Sequence, residues 1–140
     1  MLDHFDSPVT FRASFLSDLD RHPRLVLVSG DIRAGKTTWC MDLVKQAHQA
    51  GLHPAGLASP AVFLDGVKVG IDLLDLASND RRRLAVKRDR RDQAQNNGVK
   101  TLSWRFDPNV LAWGNTLLQG LPTCEFIVID ELGPLEFLDG

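Results

Sequence analysis

Two rhythms of apolar residues alternate along this chain. One has helical spacing. Phe11, Phe15, Leu16 and Leu19 follow Ser7-Pro8, a cap and first-position pair, and Pro23 ends the segment. The same spacing returns in Cys40, Met41, Leu43, Val44 and Ala47. It predicts a helix from Lys36 or Thr37 to about Gln49, with Gly51 as its stop. A third helix is predicted after Asp107-Pro108, with Val110, Leu111, Leu117 and Leu118 inward and Gly120 beyond it.

The other rhythm belongs to strands. "RLVLVSG" at 24–30 and "EFIVIDELG" at 125–133 are short runs apolar on both faces, as in a sheet covered on both sides. "VKTLSWRF" at 99–106 reads as a strand. A short strand is expected around Gly56–Ala58, although Pro54, Gly56 and Pro60 interrupt its surroundings. The strongest hairpin signal is "AVFLDGVKVGIDLL". Asp65-Gly66 suits a two-residue type I′ turn, and Val67, Val69, Ile71 and Leu73 alternate with Lys68, Gly70 and Asp72. Residues 77–99 are polar and basic and are predicted as a loop with at most a helical turn. Strands alternating with helices argue for an α/β fold.

Composition narrows the class without choosing the chemistry. The 140 residues suit one domain with a real core, and 44% apolar content is that of an ordinary globular chain. A net charge of −2 calls for neither nucleic acid nor an anionic membrane. The local exception is "RRRLAVKRDRR" at 81–91. Cys40 and Cys124 lack metal spacing and are expected to be reduced thiols. The first residues lack a signal-peptide pattern, and no apolar run approaches the ~20 residues of a membrane span. The chain reads as cytosolic.

The chemistry is carried by Gly30-Asp31-Ile32-Arg33-Ala34-Gly35-Lys36-Thr37, which fits the phosphate-loop pattern G-x-x-x-x-G-K-[ST] between a predicted strand and a predicted helix. Glycines let backbone N–H groups turn inward around a polyphosphate, and the helix start adds unpaired N–H groups and a positive dipole end. Lys36 supplies a cation for the β- and γ-phosphates, and Thr37 offers a hydroxyl to Mg²⁺. Many such loops carry another glycine where Arg33 or Ala34 stands; a side chain at φ > 0 there costs on the order of 1 kcal/mol.

Asp130 ends an apolar run, where a second acidic motif would hold Mg²⁺, and Glu131 follows it. The pair can divide labour: one carboxylate for the metal, the other to orient or deprotonate water. This reading requires Lys36 and Asp130 to converge on one magnesium-bound polyphosphate.

The segments "GDIRAGKTT" and "DELGPLE" resemble those of the small P-loop nucleoside-triphosphatases of the THEP type, first described from thermophiles and also found in animals. That family shows G-x-x-G-x-G-K-T-T and D-E-I-G-x-M-E. Asp130, Glu131, Gly133 and Glu136 match, whereas Arg33, Leu132 and Leu135 depart. "GLASPAVFLDGVKVGIDLLDL" at 56–76 is similar to the family's glycine-bearing hairpin. The resemblance covers roughly residues 24–138.

It implies a three-layer α/β/α P-loop fold with a mainly parallel, RecA-like or related sheet and an inserted β-hairpin. It also implies Mg²⁺ and slow hydrolysis of ATP, GTP and other nucleoside triphosphates. By residue match, Gly30 through Thr38 would form the phosphate site, Thr37 and Asp130 would hold the metal, and Glu131 would act on water. Residues 1–23 are then an N-terminal helical extension. Residues 24–140 form the P-loop domain, expected to continue with strands beyond the second acidic motif.

Other residues leave alternatives open. Arg81, Arg82, Arg83, Lys87, Arg88, Arg90 and Arg91 read as a solvated loop partly neutralised by Asp80, Asp89 and Asp92, as the source of one arginine acting on the phosphates, or as a nucleic-acid patch. No interleaved aromatic is available to stack bases. Trp39 is expected to pack on the sheet, and Trp104 and Trp113 to lie in the core or on the sheet surface. Glu136 supports the metal site or caps a following helix. The competing functions are a nucleoside or nucleotide kinase and a nucleotide-binding switch without turnover. No N-K-x-D base-reading motif appears, and the sequence specifies no protein partner.

Overall fold

The computed structural model describes residues 15–16, 25–31, 33–88 and 104–130. Most of the expected N-terminal helix, Ile32, the second half of the basic run, residues 99–103, Glu131, Gly133 and Glu136 lie outside the described residues. In chain order the elements are helix α1 (Lys36–Gln49), strands β1 (Ala55–Ala58), β2 (Ala61–Leu64), β3 (Val67–Asp75), β4 (Arg81–Lys87) and β5 (Trp104–Phe106), helix α2 (Pro108–Gln119) and strand β6 (Ile127–Ile129).

β1 and β2 are two pieces of one long hairpin with β3. Leu57 pairs with Asp75 and Ala58 with Leu74; the ladder resumes at Ala61–Ile71 and Val62–Gly70. Between them the Asp72 N–H donates to the Pro60 carbonyl at 3.0 Å. The tip is the expected turn: Asp65 has φ 49° and Gly66 φ 75°, both positive as a type I′ turn needs. The hairpin is therefore the body of the sheet rather than an insertion.

The sheet order is β5-β4-β3-β1-β6, with β2 paired to β3. Only β1–β6 is parallel; β1–β3, β3–β4 and β4–β5 are antiparallel. This corrects the expectation of a mainly parallel sheet. Its central strands are joined by tight turns, which can only link antiparallel neighbours.

A helix lies on each face. Cys40 and Val44 of α1 pack with Ala58, Leu74, Leu76 and Val128, and Trp39 packs against this cluster as expected. Val110 of α2 packs with Leu57, Leu73 and Leu84, with Phe106, Trp113, Leu117 and Leu118 against them. Successive residues Leu57 and Ala58 serve opposite clusters because strand side chains alternate between faces. Asp107 caps α2, accepting from the Asn109 N–H at 2.8 Å, and Pro108 occupies the first turn. Leu111, expected inward, is 39% exposed. Gly114 allows the close approach of α2: a Cβ there would lie 2.8 Å from Leu73 Cδ2.

Three expectations are corrected. Residues 81–87 form a strand, not a loop. Arg81, Arg82 and Arg83 pair with Leu74, Leu73 and Asp72, and a register shift beside Asp72 lets Leu84 and Ala85 both be buried. The apolar run at 25–30 is not a strand. Among the described residues it joins no ladder, and Leu25 and Leu27 are 84% and 72% exposed. Hydrophobicity alone does not make a strand; the run's backbone groups must pair with a neighbour, and among the described residues they do not, although β6 leaves an edge open. β6 is buried only at Val128, because α2 lies over β1, β3 and β4; Ile127 and Ile129 are each 50% exposed.

Candidate phosphate site

The loop that precedes α1 is built by two left-handed residues. Arg33 has φ 68° and Gly35 φ 88°. The position that related loops give to glycine is thus a positive-φ position here, and arginine occupies it at a cost of about 1 kcal/mol. A turn closes between them, with the Ala34 N–H donating to the Asp31 carbonyl at 3.1 Å. Gly35 then caps α1 without any side-chain hydrogen bond, and no acidic residue stands in the first turn. The leading N–H groups of α1, with the positive end of the helix dipole, are left for an anion.

Lys36 folds back along the loop. Its Nζ donates to the carbonyls of Gly30 and Asp31 at 2.8 and 2.9 Å. The ammonium is therefore held along the loop by carbonyl acceptors that phosphate oxygens can replace. Thr37 is half-buried and Thr38 exposed in the same turn. The Thr37 hydroxyl donates to Asp130 Oδ1 at 3.2 Å across 93 positions of sequence. The other oxygen, Oδ2, accepts from the Ser59 N–H at 3.1 Å, and the Asp130 N–H donates to the Leu57 carbonyl at 3.0 Å. Asp130 is 6% exposed, so its carboxylate is fixed by three elements at once: β6, the end of β1 and the start of α1.

The structure thus brings Gly30, Asp31, Arg33, Ala34, Gly35, Lys36, Thr37, Thr38 and Asp130 to one end of the sheet. Ile32 and Glu131 lie outside the described residues. Sequence reading missed Ser59 and Gly56. Gly56 has φ 116°, and a Cβ there would overlap the Val128 carbonyl, so only glycine lets β1 run beside β6 and deliver Asp130. The signal was present as Gly56 and Ser59-Pro60 around a predicted strand, but nothing local says which strand lies alongside.

Cys40, one turn beyond Thr37, is buried, and its thiol is pushed up from 9.0 to about 11 by burial first and by the Asp130 charge second. It stays protonated near neutrality and behaves as a core residue. An open concavity bordered by Arg83, Arg105 and Phe106 contains none of the motif residues.

A glycine-bearing loop running into an uncapped helix start, a lysine folded back along it, and a hydroxyl meeting a distant buried aspartate define a P-loop nucleotide-binding fold. The particular family follows from comparison. The NTPase family model matches residues 25–139, and the chain belongs to that family. It is 25% identical over 114 residues to the nucleoside-triphosphatase THEP1 of Methanopyrus kandleri, covering 81% of this chain and 60% of that protein. It is 30% identical over 111 residues to the nucleoside-triphosphatase THEP1 of Caldivirga maquilingensis, covering 79% and 60%. The chain thus matches about three fifths of the length of these relatives. A solved human cancer-related nucleoside triphosphatase superposes with a TM-score of 0.62 over 84% of this chain and 64% of its own, at 21% identity, which supports the fold. Among the described residues no helix is long and apolar enough to cross a membrane.

Proposed function

We propose that this chain binds nucleoside 5′-triphosphates through residues 30–38 and hydrolyses them, with Mg²⁺, to the diphosphate and phosphate, with broad base specificity covering ATP and GTP. The observation that carries the reading is the hydrogen bond between Thr37 and Asp130, which joins the two halves of the expected site. The donor set fits magnesium: a hydroxyl and a buried carboxylate, both hard oxygen ligands, stand within 3.2 Å of each other at the mouth of the loop. Thr37 and Asp130 would hold the ion, which when bound neutralises charge on the β- and γ-phosphate oxygens.

The residues of the chain divide the rest of the work. The uncapped amides of α1 bind the phosphates, and Lys36 exchanges its two carbonyl partners for phosphate oxygens. Ser59, through its N–H, keeps Asp130 oriented. Glu131, the next residue in the chain, takes the proton of the attacking water.

The test is phosphate release from Mg-ATP and Mg-GTP, with and without nucleoside acceptors. Acceptor-independent release is expected, abolished in Lys36→Ala. In Glu131→Gln, kcat should fall by about 10²–10⁴ with nucleotide binding retained. Transfer only to an added acceptor would make the protein a kinase, and tight binding without turnover would make it a switch; either result ends the hydrolase reading.

A further inference from the structure

Two arginines of β4 stand on the same side of the sheet as the phosphate loop. The ladder sets this out in rows. Ala58, Leu74 and Arg81 form one row, and Pro60, Asp72 and Arg83 the next towards the hairpin tip. Ala58 and Leu74 face α1, and residues two apart on a strand share a face, so Arg81, Asp72 and Arg83 face that side too. Arg82 takes the opposite face, its guanidinium 4.1 Å from the Trp113 ring of α2.

Arg83 is not a loose surface side chain. Its Nε donates to Asp72 Oδ1 at 2.5 Å, and Asp72 is only 7% exposed. Arg81 Nη1 is 3.8 Å from the other oxygen, Oδ2. Gly70 makes room for the guanidinium, since a Cβ there would lie 2.9 Å from Arg83 Nη1 and 3.2 Å from its Cδ. Two cations share one carboxylate, which leaves a surplus positive charge. The Arg83 side chain remains 46% exposed and Arg81 52%.

This charge stands at the end of the sheet where Asp130 is held. Pro60, in the Arg83 row, follows Ser59, whose N–H holds Asp130. Neighbouring strands lie about 4.8 Å apart, so β4 is about 10 Å from β1 and about 14 Å from β6, which delivers Asp130, a gap comparable to an extended triphosphate and an arginine side chain together. A buried carboxylate that aims an arginine is a common way to hold a fork-shaped donor ready for phosphate oxygens.

We propose that Arg83, aimed by Asp72 and backed by Arg81, contacts the polyphosphate chain of the bound nucleotide from outside the loop motif. The proposal rests on the nucleotide-binding reading of residues 30–38. Arg83 is a binding residue, and Asp72 is a positioning residue.

The experiment is calorimetric titration of the full chain with Mg-AMP-PNP and with inorganic tripolyphosphate over a range of salt concentrations. Arg83→Met should weaken both ligands at least tenfold and flatten the salt dependence of binding, since one charged contact is gone. Arg82→Met, on the other face, should leave both unchanged. Because Arg83→Met strands the buried Asp72, the double variant Asp72→Asn/Arg83→Gln, which keeps a neutral side-chain pair and the net charge, is measured beside it with its melting temperature. It should show the same loss and the same flattened slope. If both variants bind within twofold of the parent while Lys36→Ala has lost binding, the Arg83 contact is refuted and the phosphate-loop reading stands. An affinity loss with an unaltered salt slope also refutes it, because it marks a purely structural ion pair. Unimpaired binding by Lys36→Ala would overturn both.

Discussion

β1 has a different neighbourhood on each side. Towards β3, β4 and β5 every strand is laddered and α2 closes one face. Towards β6 the ladder is three residue pairs long, two isoleucines are half exposed, and the apolar run 25–28 stands open. The contrast runs against composition. The laddered side contains three consecutive arginines, and the open side contains "LVLV". Burial follows pairing and cover more closely than it follows the hydrophobicity of a segment. The phosphate loop spans this divide. It is entered from the open run and anchored by α1, whose Cys40 and Val44 pack on the laddered hairpin.

Hydrogen exchange gives the largest test of this contrast. Amides at the centre of β3 should exchange at least about a thousandfold more slowly than those of residues 25–28. Similar protection in both would mean that the open run is laddered in solution, and the comparison would fail.

The joint between the two sides is Gly56. Gly56→Ala meets both φ 116° and the Val128 carbonyl, and should cost about 3 kcal/mol or more in denaturant unfolding. Gly114→Ala on the laddered side meets only the movable end of Leu73 and gains helix propensity of about 1 kcal/mol, so its net effect should be much smaller. Equal costs would remove the special status of the β1–β6 joint.

Cys40 sharpens the picture of the cluster under α1. The unfolded chain releases this proton from about pH 9, the folded one only near 11. Between those values the unfolded state binds fewer protons, so stability present below pH 9 is lost as pH rises, by about 3 kcal/mol at most. Unfolding of the parent and of Cys40→Ala between pH 8 and 11 should show a steeper decline for the parent; parallel curves count against a sealed cluster.

The smallest effect belongs to the loop itself. Arg33→Gly relieves the left-handed arginine and should raise stability by up to about 1 kcal/mol, with nucleotide affinity unchanged within a fewfold. A loss of stability would show that the Arg33 side chain is held by contacts that outweigh its backbone strain.

Local chemistry was legible where it is set by near neighbours. The start of α1 at Lys36, the Asp107-Pro108 cap and the Asp65-Gly66 turn all depend on residues within a few positions. Asp130 was legible as an acid ending an apolar run; that Thr37 and the Ser59 N–H would hold it was not. β4 was hidden because its arginines suit a loop by polarity. They are tolerated in a strand by Asp72 on one face and Trp113 on the other, contributed by other elements.

The sequence alone determined the phosphate-loop pattern, the helix behind it, the hairpin turn and the second acidic motif, because each rests on short-range backbone and charge preferences. Tertiary structure decided which strands pair, that the sheet is mostly antiparallel, that 25–28 stands open, and that Arg83 faces the side of the sheet covered by α1. Those outcomes depend on which edges and faces meet across the whole chain, and no local preference encodes them.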